Sequence, residues 1–589
     1  MNHDLRKVAF SQRALLSKRG AFLAASAFLF VWTGLLFLVR VTGPTDLLDY
    51  SQRAPIAYAL DAVHNGHWLI QRDLNGQVMA KPPVHTWAIA LLSMITGEVN
   101  RWTLSLPSGL AMLGTAWVLL WAGNQHLSRR AGLASAVLFL GCSAVLKQVT
   151  LIRTDPLFAF CCAATAVVAY ECWLGRRSWI FFWLVAIFTT LTKGPLGILL
   201  GAIGLIAAIW HQGKNFNRGT LPAHAIGIAL FLLITGGWFV LANAATSGEV
   251  FERIVGQELV RHAVHVGDHH FGEHFYLPLL YFLSRFVPWS PLIFLGLAQA
   301  WKPAFENRAR LRFVRFVAFW FLGGLLIFSL AAHKRGDLIF PLLPPGALLA
   351  AIGIEPLLEK WPRQRLVLGA AAILAIELGW GAFYYHLLRA KTEEVRSGIA
   401  METMTRDFLE RVGPGFPFTY CGHGTMLQLR FQTAFSSVPE EVGARLLRGA
   451  APAFVVTEDT KWIEELRSRQ TNIFLVADAK ANLAERLRIL GNVKELRRYP
   501  RMAAAAGQFE LEFEQVRRFE KSGNELSFWS SAPDGRILLR NWSASPAAVS
   551  VHLHTDRRQR TEKRVLAPDE RWEIRFSPEQ PSGQKTPRG

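Results

Sequence analysis

The recurrence of apolar runs long enough to cross a lipid bilayer constrains this chain more than any other feature. A bilayer core takes roughly 20 apolar residues per helix. Such runs fall at 21–38 and near 104–123, 131–146, 155–174, 179–192, 194–210, 224–244, 283–300, 313–331, 338–353 and 366–388. They predict a polytopic α-helical membrane protein with about eleven or more transmembrane helices. Segment 81–96 has a shorter apolar part, and counting it as a crossing would invert every later loop. It is expected to lie as a helix at the outer surface. Arg6, Lys7, Arg13, Lys18 and Arg19 precede the first run, which is too long for a signal-peptide core and has no small-x-small cleavage site after it. A retained first transmembrane helix is expected.

Charge gives an independent test of this topology, because Lys and Arg concentrate in cytoplasmic loops. With the N-terminus inside, the inner connections are 126–130, 175–178, 211–222, 301–315 and 355–365, and each is basic. The long outer connections, 42–103 and 245–282, hold most of the acids and histidines. The formal charge of +20 would suit a nucleic-acid binder. No basic run interleaved with stacking aromatics accompanies it, so nucleic acid is excluded as a partner and the lipid bilayer is the expected environment. Five Cys without any CxxC give neither a disulfide framework nor a redox motif.

Residues 1–390 are therefore expected to form the membrane domain, with an extracytoplasmic C-terminal α/β plus β region after it. In 391–505, short apolar runs alternate with helix-like stretches such as 440–447, the pattern of a small α/β domain. From 506 to 577 strict alternation, as in Phe509-Glu-Leu-Glu-Phe-Glu, predicts a β-rich domain. The Pro- and Gly-rich 578–589 is expected to be a disordered tail.

Charged residues at or near membrane depth are costly and mark functional sites. Five groups are predicted to face outward. Asp46-Leu-Leu-Asp49-Tyr50-Ser-Gln-Arg53 offers a carboxylate that can accept a proton, or an ordinary polar helix end. Lys81 before Pro82-Pro83 can pair with a phosphate or snorkel to the interface. Arg153-Thr-Asp155 is a functional pair or a structural one. Thr192-Lys193-Gly-Pro195 precedes a helix whose N-terminus would favour an anion. His333-Lys334-Arg335-Gly-Asp337 is a dense basic turn. Outward cations run against the positive-inside trend, so together they call for an anionic partner, and phosphate is the natural one. His262, His265, His269, His270 and His274 include a spacing of four that can suit a metal. No carboxylates at fixed offsets accompany them, so no metal site is assigned; no cofactor is certain, and a divalent cation stays an option.

Taken in order, these groups resemble membrane glycosyltransferases of the GT-C type, the family of dolichyl-phosphate-mannose protein mannosyltransferases and bacterial aminoarabinose transferases. Lys81-Pro-Pro with Trp87, Arg153-Thr-Asp155, Thr192-Lys-Gly-Pro195, Glu258 with Arg261, Val287-Pro-Trp-Ser290 and the 333–341 turn follow the family's motifs through residues 44–345. Two positions depart from it: Tyr50 stands where the family has a second acid, and Ala80 where aminoarabinose transferases carry Glu. The resemblance implies a polyprenyl-phosphate-linked sugar as donor and an extracytoplasmic acceptor (a lipid A-like lipid, a protein or a glycan). It implies Lys81, Lys193, Lys334 and Arg335 as phosphate ligands. Asp49 would be the base in an inverting transfer, and Asp155 would orient the acceptor or the base. Tyr50, Arg53, Arg153, Glu258 and Arg261 would contact substrate. It also implies an inner-membrane location, to which the basic inner loops add a cytoplasmic N-terminus. A transporter or flippase of lipid-linked anions is the rival reading, but it needs a site near the midplane between discontinuous helices.

Overall fold

In the computed structural model the described residues are 2–44, 50–207 (Leu74 excepted), 220–261, 265–266, 269–270, 274–302 and 308–412. Beyond 412 they are chiefly the helix and strands named below. The chain divides into two compact units, one of residues 1–392 and one built from 393 onward.

Among the described residues, seven helices are long and apolar enough to cross a membrane: Gly20–Val41, Arg101–His126, Thr154–Trp173, Leu221–Ala245, Arg308–Leu330, Phe340–Lys360 and Arg363–Lys391. The other four apolar runs are shorter or broken. Run 131–146 splits at Gly141 into Arg129–Leu140 and Ser143–Gln148. Run 283–300 splits around Pro288 into Leu277–Arg285 and Leu292–Ala300. Trp179–Lys193 has 15 residues, and Leu196–Leu205 is the described part of the last. Hydropathy averaged along a run does not register such breaks. Val84–Thr96 forms the short helix expected after Pro83 and packs on Tyr50–His64, Arg101–His126 and Trp179–Lys193.

Local chemistry sets the helix ends. Asn100 caps Arg101–His126 by accepting from the backbone N–H groups of Trp102 and Thr103, and the Thr103 hydroxyl accepts from Asn100 N–H in return. Arg101 then donates to the carbonyls of Arg40 (3.0 Å) and Pro44 (3.2 Å), closing the orphan carbonyls where the first helix ends. Thr154–Trp173 lies at the centre, packed on Arg101–His126, Trp179–Lys193, Leu196–Ala202 and Leu343–Lys360. A short turn makes Trp179–Lys193 its antiparallel partner, and Thr165 Oγ1 meets Thr189 Oγ1 at 2.9 Å between them. Followed along the chain, these helices bring residues 40–44, 101, 153–155, 193 and 333–337 to one end. The cations Arg129, Arg130, Arg176, Arg177, Arg308, Arg310, Lys360 and Arg363 fall at the other. There Arg310 bonds Glu355 (Nε–O 3.1 Å), and Arg130 donates to the carbonyls of Leu358 and Glu359.

Backbones approach most closely where Leu292–Ala300 crosses Leu343–Lys360. A Cβ at Gly296 would lie 2.0 Å from the Leu349 carbonyl oxygen, and one at Gly353 would meet the Leu292 carbonyl at 2.8 Å. Small residues permit such contacts between membrane helices. Gly296→Val forces the two backbones apart and is expected to cost about 3 kcal/mol or more. The check is a lowered melting temperature of the purified protein in detergent.

In the second unit, Phe418–Cys421, Phe454–Thr457, Arg488–Gly491 and Phe474–Asp478 form a four-stranded sheet in that order, its first pair parallel and the rest antiparallel. Helix Glu440–Leu447 packs on Phe454–Thr457. Next come a three-stranded sheet (Arg571–Arg575, Arg536–Asn541, Phe509–Glu514) and a four-stranded one (Arg558–Leu566, Ala547–Thr555, Glu525–Ser530, Arg518–Ser522). They share one core of Phe509, Leu526, Phe528, Ile537, Leu539, Val551, Leu553 and Trp572. The alternation read in the sequence is the inward face of this sandwich, as in Glu525–Ser530, where every second residue is buried. The 578–589 tail lies outside the described residues.

Candidate functional site

The site is built where the central helix hairpin opens. Gly194 adopts φ +99°, which ends Trp179–Lys193 and leaves Lys193 as its last residue. The helix after it, Leu196–Ala202, has only 7 residues. The positive charge at this point is therefore the Lys193 ammonium rather than the expected helix dipole. Asp155 opens the partner helix and is 2% exposed. Its carboxylate takes a hydrogen bond from Lys193 Nζ on one oxygen and a 2.8 Å contact from Arg153 on the other.

Arg153 extends the network. Its guanidinium also pairs with Asp337, 184 residues away, and Arg335 reaches the same Asp337 oxygen at 3.1 Å. Burial alone would raise the Asp337 carboxyl, but the hydrogen bond and charge of Arg153, with Arg335, hold it below the usual carboxylate range. Lys334 turns its ammonium onto the Ala331 carbonyl at 2.6 Å.

Lys81 joins from the outer connection. Val78 and Met79 are buried, and Met79 N–H bonds the Gln71 carbonyl at 2.9 Å, so the residues before Lys81 are anchored. Pro82 and Pro83 then stiffen the entry to the next helix. Lys81 Nζ donates to Glu258 at 2.7 Å. Burial pushes the Lys81 ammonium below its usual range; Glu258 opposes this, and the nearby Lys193 charge adds to it. Arg72 and Glu249, at 3.3 Å, tie the two long outer connections together a second time.

The structure thus gathers Lys81, Arg153, Asp155, Lys193, Glu258 and Arg335. Arg53 sits half-buried on Tyr50–His64. Asp46 and Asp49 lie outside the described residues, as do His262 and the side chains of Tyr50 and Arg261. Gln52, three residues beyond Asp49, is buried and accepts from the backbone N–H of Ile152, next to Arg153. That bond ties the start of the Tyr50–His64 helix to the network. Asp337 appeared in the sequence only as part of a basic turn, and nothing local announces its pairing with Arg153. Among the described residues, no three His, Cys, Asp or Glu side chains come together as a metal-binding group.

The chain thus presents a helical membrane unit of many spans with partly buried cations braced by carboxylates at one end of the bundle. Residues 80–238 match the family model described as dolichyl-phosphate-mannose-protein mannosyltransferase. The undecaprenyl phosphate-α-4-amino-4-deoxy-L-arabinose arabinosyl transferase 1 of Pseudomonas fluorescens is 29% identical over 293 residues, 48% of this chain and 51% of that relative. The corresponding transferase of Pseudomonas aeruginosa is 29% identical over 350 residues, 58% of this chain and 60% of that relative. The matches thus span about half to three-fifths of these relatives. The crystal structure of ArnT from Cupriavidus metallidurans bound to undecaprenyl phosphate superposes with a TM-score of 0.64 at 16% identity, over 81% of this chain and 99% of that one. The protein therefore shares the fold of that ArnT structure and is a multi-pass membrane protein.

Proposed function

We propose that the protein transfers a sugar from a polyprenyl-phosphate donor to an acceptor on the extracytoplasmic side of the inner membrane. The observation that carries this reading is the partly buried network of Lys81, Lys193 and Arg153, held by Asp155, Glu258 and Asp337 at one end of the bundle. Buried cations need counter-charge. Here carboxylates supply it until a lipid phosphate arrives. The basic loops at the opposite end support a cytoplasmic side for that end and for the N-terminus.

In this reading the donor phosphate takes the place of Glu258 on Lys81 and shares Lys193. Arg335 and Lys334 extend the cationic surface toward it. An acceptor hydroxyl or amine attacks the anomeric carbon, and the bond from that carbon to the phosphate oxygen breaks. The electron pair leaves with the phosphate, the acceptor proton goes to Asp49, and the configuration inverts. Fixed cations aimed at the charge growing on the leaving phosphate are usually the largest single contribution to such a step. Asp155, saturated by Lys193 and Arg153, acts as a positioning residue that keeps both cations in place. Arg53, Arg153, Arg261 and Tyr50 complete the substrate contacts. In this reading the C-terminal α/β (391–505) and β-rich (506–577) regions are extracytoplasmic.

Binding of undecaprenyl phosphate to purified protein tests the phosphate role. Lys81→Ala is expected to weaken binding at least tenfold, since hydrogen bonds to charged groups contribute roughly 1.5–3 kcal/mol. An unchanged affinity contradicts the assignment. The lowered pKa of Lys81 adds a pH signature. Phosphate binds the protonated amine, so affinity falls as pH rises through a value below the ordinary 10.5. Lys81→Arg stays charged and is expected to flatten that fall. Titrating wild type and variant in parallel checks it.

A further inference from the structure

Two polar side chains beside the ionic network are buried without a partner. His85 lies in the first turn of Val84–Thr96, four residues beyond Lys81, and is 2% exposed. Its Nε2 has no hydrogen-bond partner among the described residues, and it lies close enough to Asp155 for that carboxylate to act on it. Thr190 sits one turn before Lys193 on the same helix face and is 7% exposed. Its neighbours Thr189 and Thr192 each turn the hydroxyl onto the carbonyl one turn back, at 2.7 Å. The Thr190 Oγ1 makes no such bond and is buried without a partner among the described residues. The helices carrying His85 and Thr190 pack directly on each other.

Buried polar groups in native proteins are almost always paired, and each exception needs a reason. Of the exceptions among the described residues, these two lie on the packed helices that follow Lys81 and end at Lys193, the cations assigned to the donor phosphate. Resting on that reading of the site, we infer that His85 and Thr190 hydrogen-bond the sugar of the lipid-linked donor and determine which sugar is accepted. Burial pushes the imidazole down to about 4, against an upward pull from Asp155. At neutral pH it therefore meets the ligand uncharged, as one donor and one acceptor, which suits a sugar hydroxyl or amine rather than a second phosphate contact. A site that pairs buried polar groups with a substrate hydroxyl discriminates strongly against analogues lacking it, because the protein groups are then left unmade. That gives a physical basis for sugar selection separate from phosphate binding.

The test uses the full chain in detergent as wild type, Thr190→Val, His85→Leu and His85→Gln. The probes are undecaprenyl phosphate, undecaprenyl-phosphate mannose and undecaprenyl-phosphate aminoarabinose. Wild type is expected to bind at least one glycosylated lipid more tightly than the bare lipid phosphate. Thr190→Val and His85→Leu are expected to weaken that binding about tenfold while bare-lipid affinity stays within twofold. His85→Gln, which can still donate and accept, is expected to restore part of it. The ligand-free melting temperature supplies a reading that a purely structural role would move the other way. Removing an unpaired hydroxyl should leave it unchanged or raised in Thr190→Val, whereas loss of an internal bond would lower it. Equal wild-type affinities for bare and glycosylated lipids, or variants that weaken both alike, overturn the inference and leave the phosphate site standing. Failure of wild type to bind any of the three lipids overturns both.

Discussion

Purified Asp155→Ala protein is expected to melt far below wild type and to transfer no sugar. The carboxylate is 2% exposed, and its two cations, Lys193 and Arg153, are each 15% exposed by side chain. Removing it strands the Lys193 ammonium beside Arg153, which keeps Asp337, with Lys81 nearby. Breaking a buried pair this way costs about 3–5 kcal/mol, because the partner is stranded out of water. The same source predicts a rescue. Asp155→Leu combined with Lys193→Met removes both charges and is expected to recover much of the melting temperature, since matched apolar replacement of a buried pair is often neutral. It should recover no activity, because the phosphate ligand has gone with the charge. Thermal unfolding and transfer assays on the single and double variants check both halves. A double variant that regains transfer would show that Lys193 only braces the fold.

The second large effect is expected at Asp49. A general base contributes typically 10²–10⁴-fold. Asp49→Asn should lower kcat by an amount in that range while the affinity for undecaprenyl phosphate stays within twofold. Steady-state transfer alongside equilibrium binding separates the two quantities. A variant that loses donor binding in proportion to activity would make Asp49 a donor ligand instead. The expectation rests on the proposed base role; three residues further on, Gln52 ties the start of the Tyr50–His64 helix to the backbone beside Arg153.

Much of this architecture is legible in the sequence. Apolar runs separated by basic loops reflect a bilayer and a charge asymmetry, both written residue by residue. The 3.6- and 2-residue periodicities likewise announce Glu440–Leu447 and the strands from Phe509 onward. Breaks such as the one at Gly141 are not legible, because a helix can end inside an apolar run without changing its mean hydropathy. At the site, Lys81, Arg153, Asp155 and Lys193 stand out as charges at helix ends. Their pairing does not: Lys81 meets Glu258 across 177 residues, and Arg153 meets Asp337 across 184. Those distances along the chain are spanned only by the packing of the bundle. His85 carries no local signal at all, since an unpaired imidazole is defined by what fails to surround it.

The most direct test of the central claim is transfer of labelled sugar from a polyprenyl-phosphate donor by the purified wild-type protein, offered lipid, peptide and glycan acceptors. Label moving into one acceptor class, with release of the lipid phosphate and loss of the signal in Lys193→Met, is the predicted result. No transfer to any acceptor, together with donor binding and passage of the donor across liposome membranes, would contradict it and make the protein a carrier of lipid-linked anions.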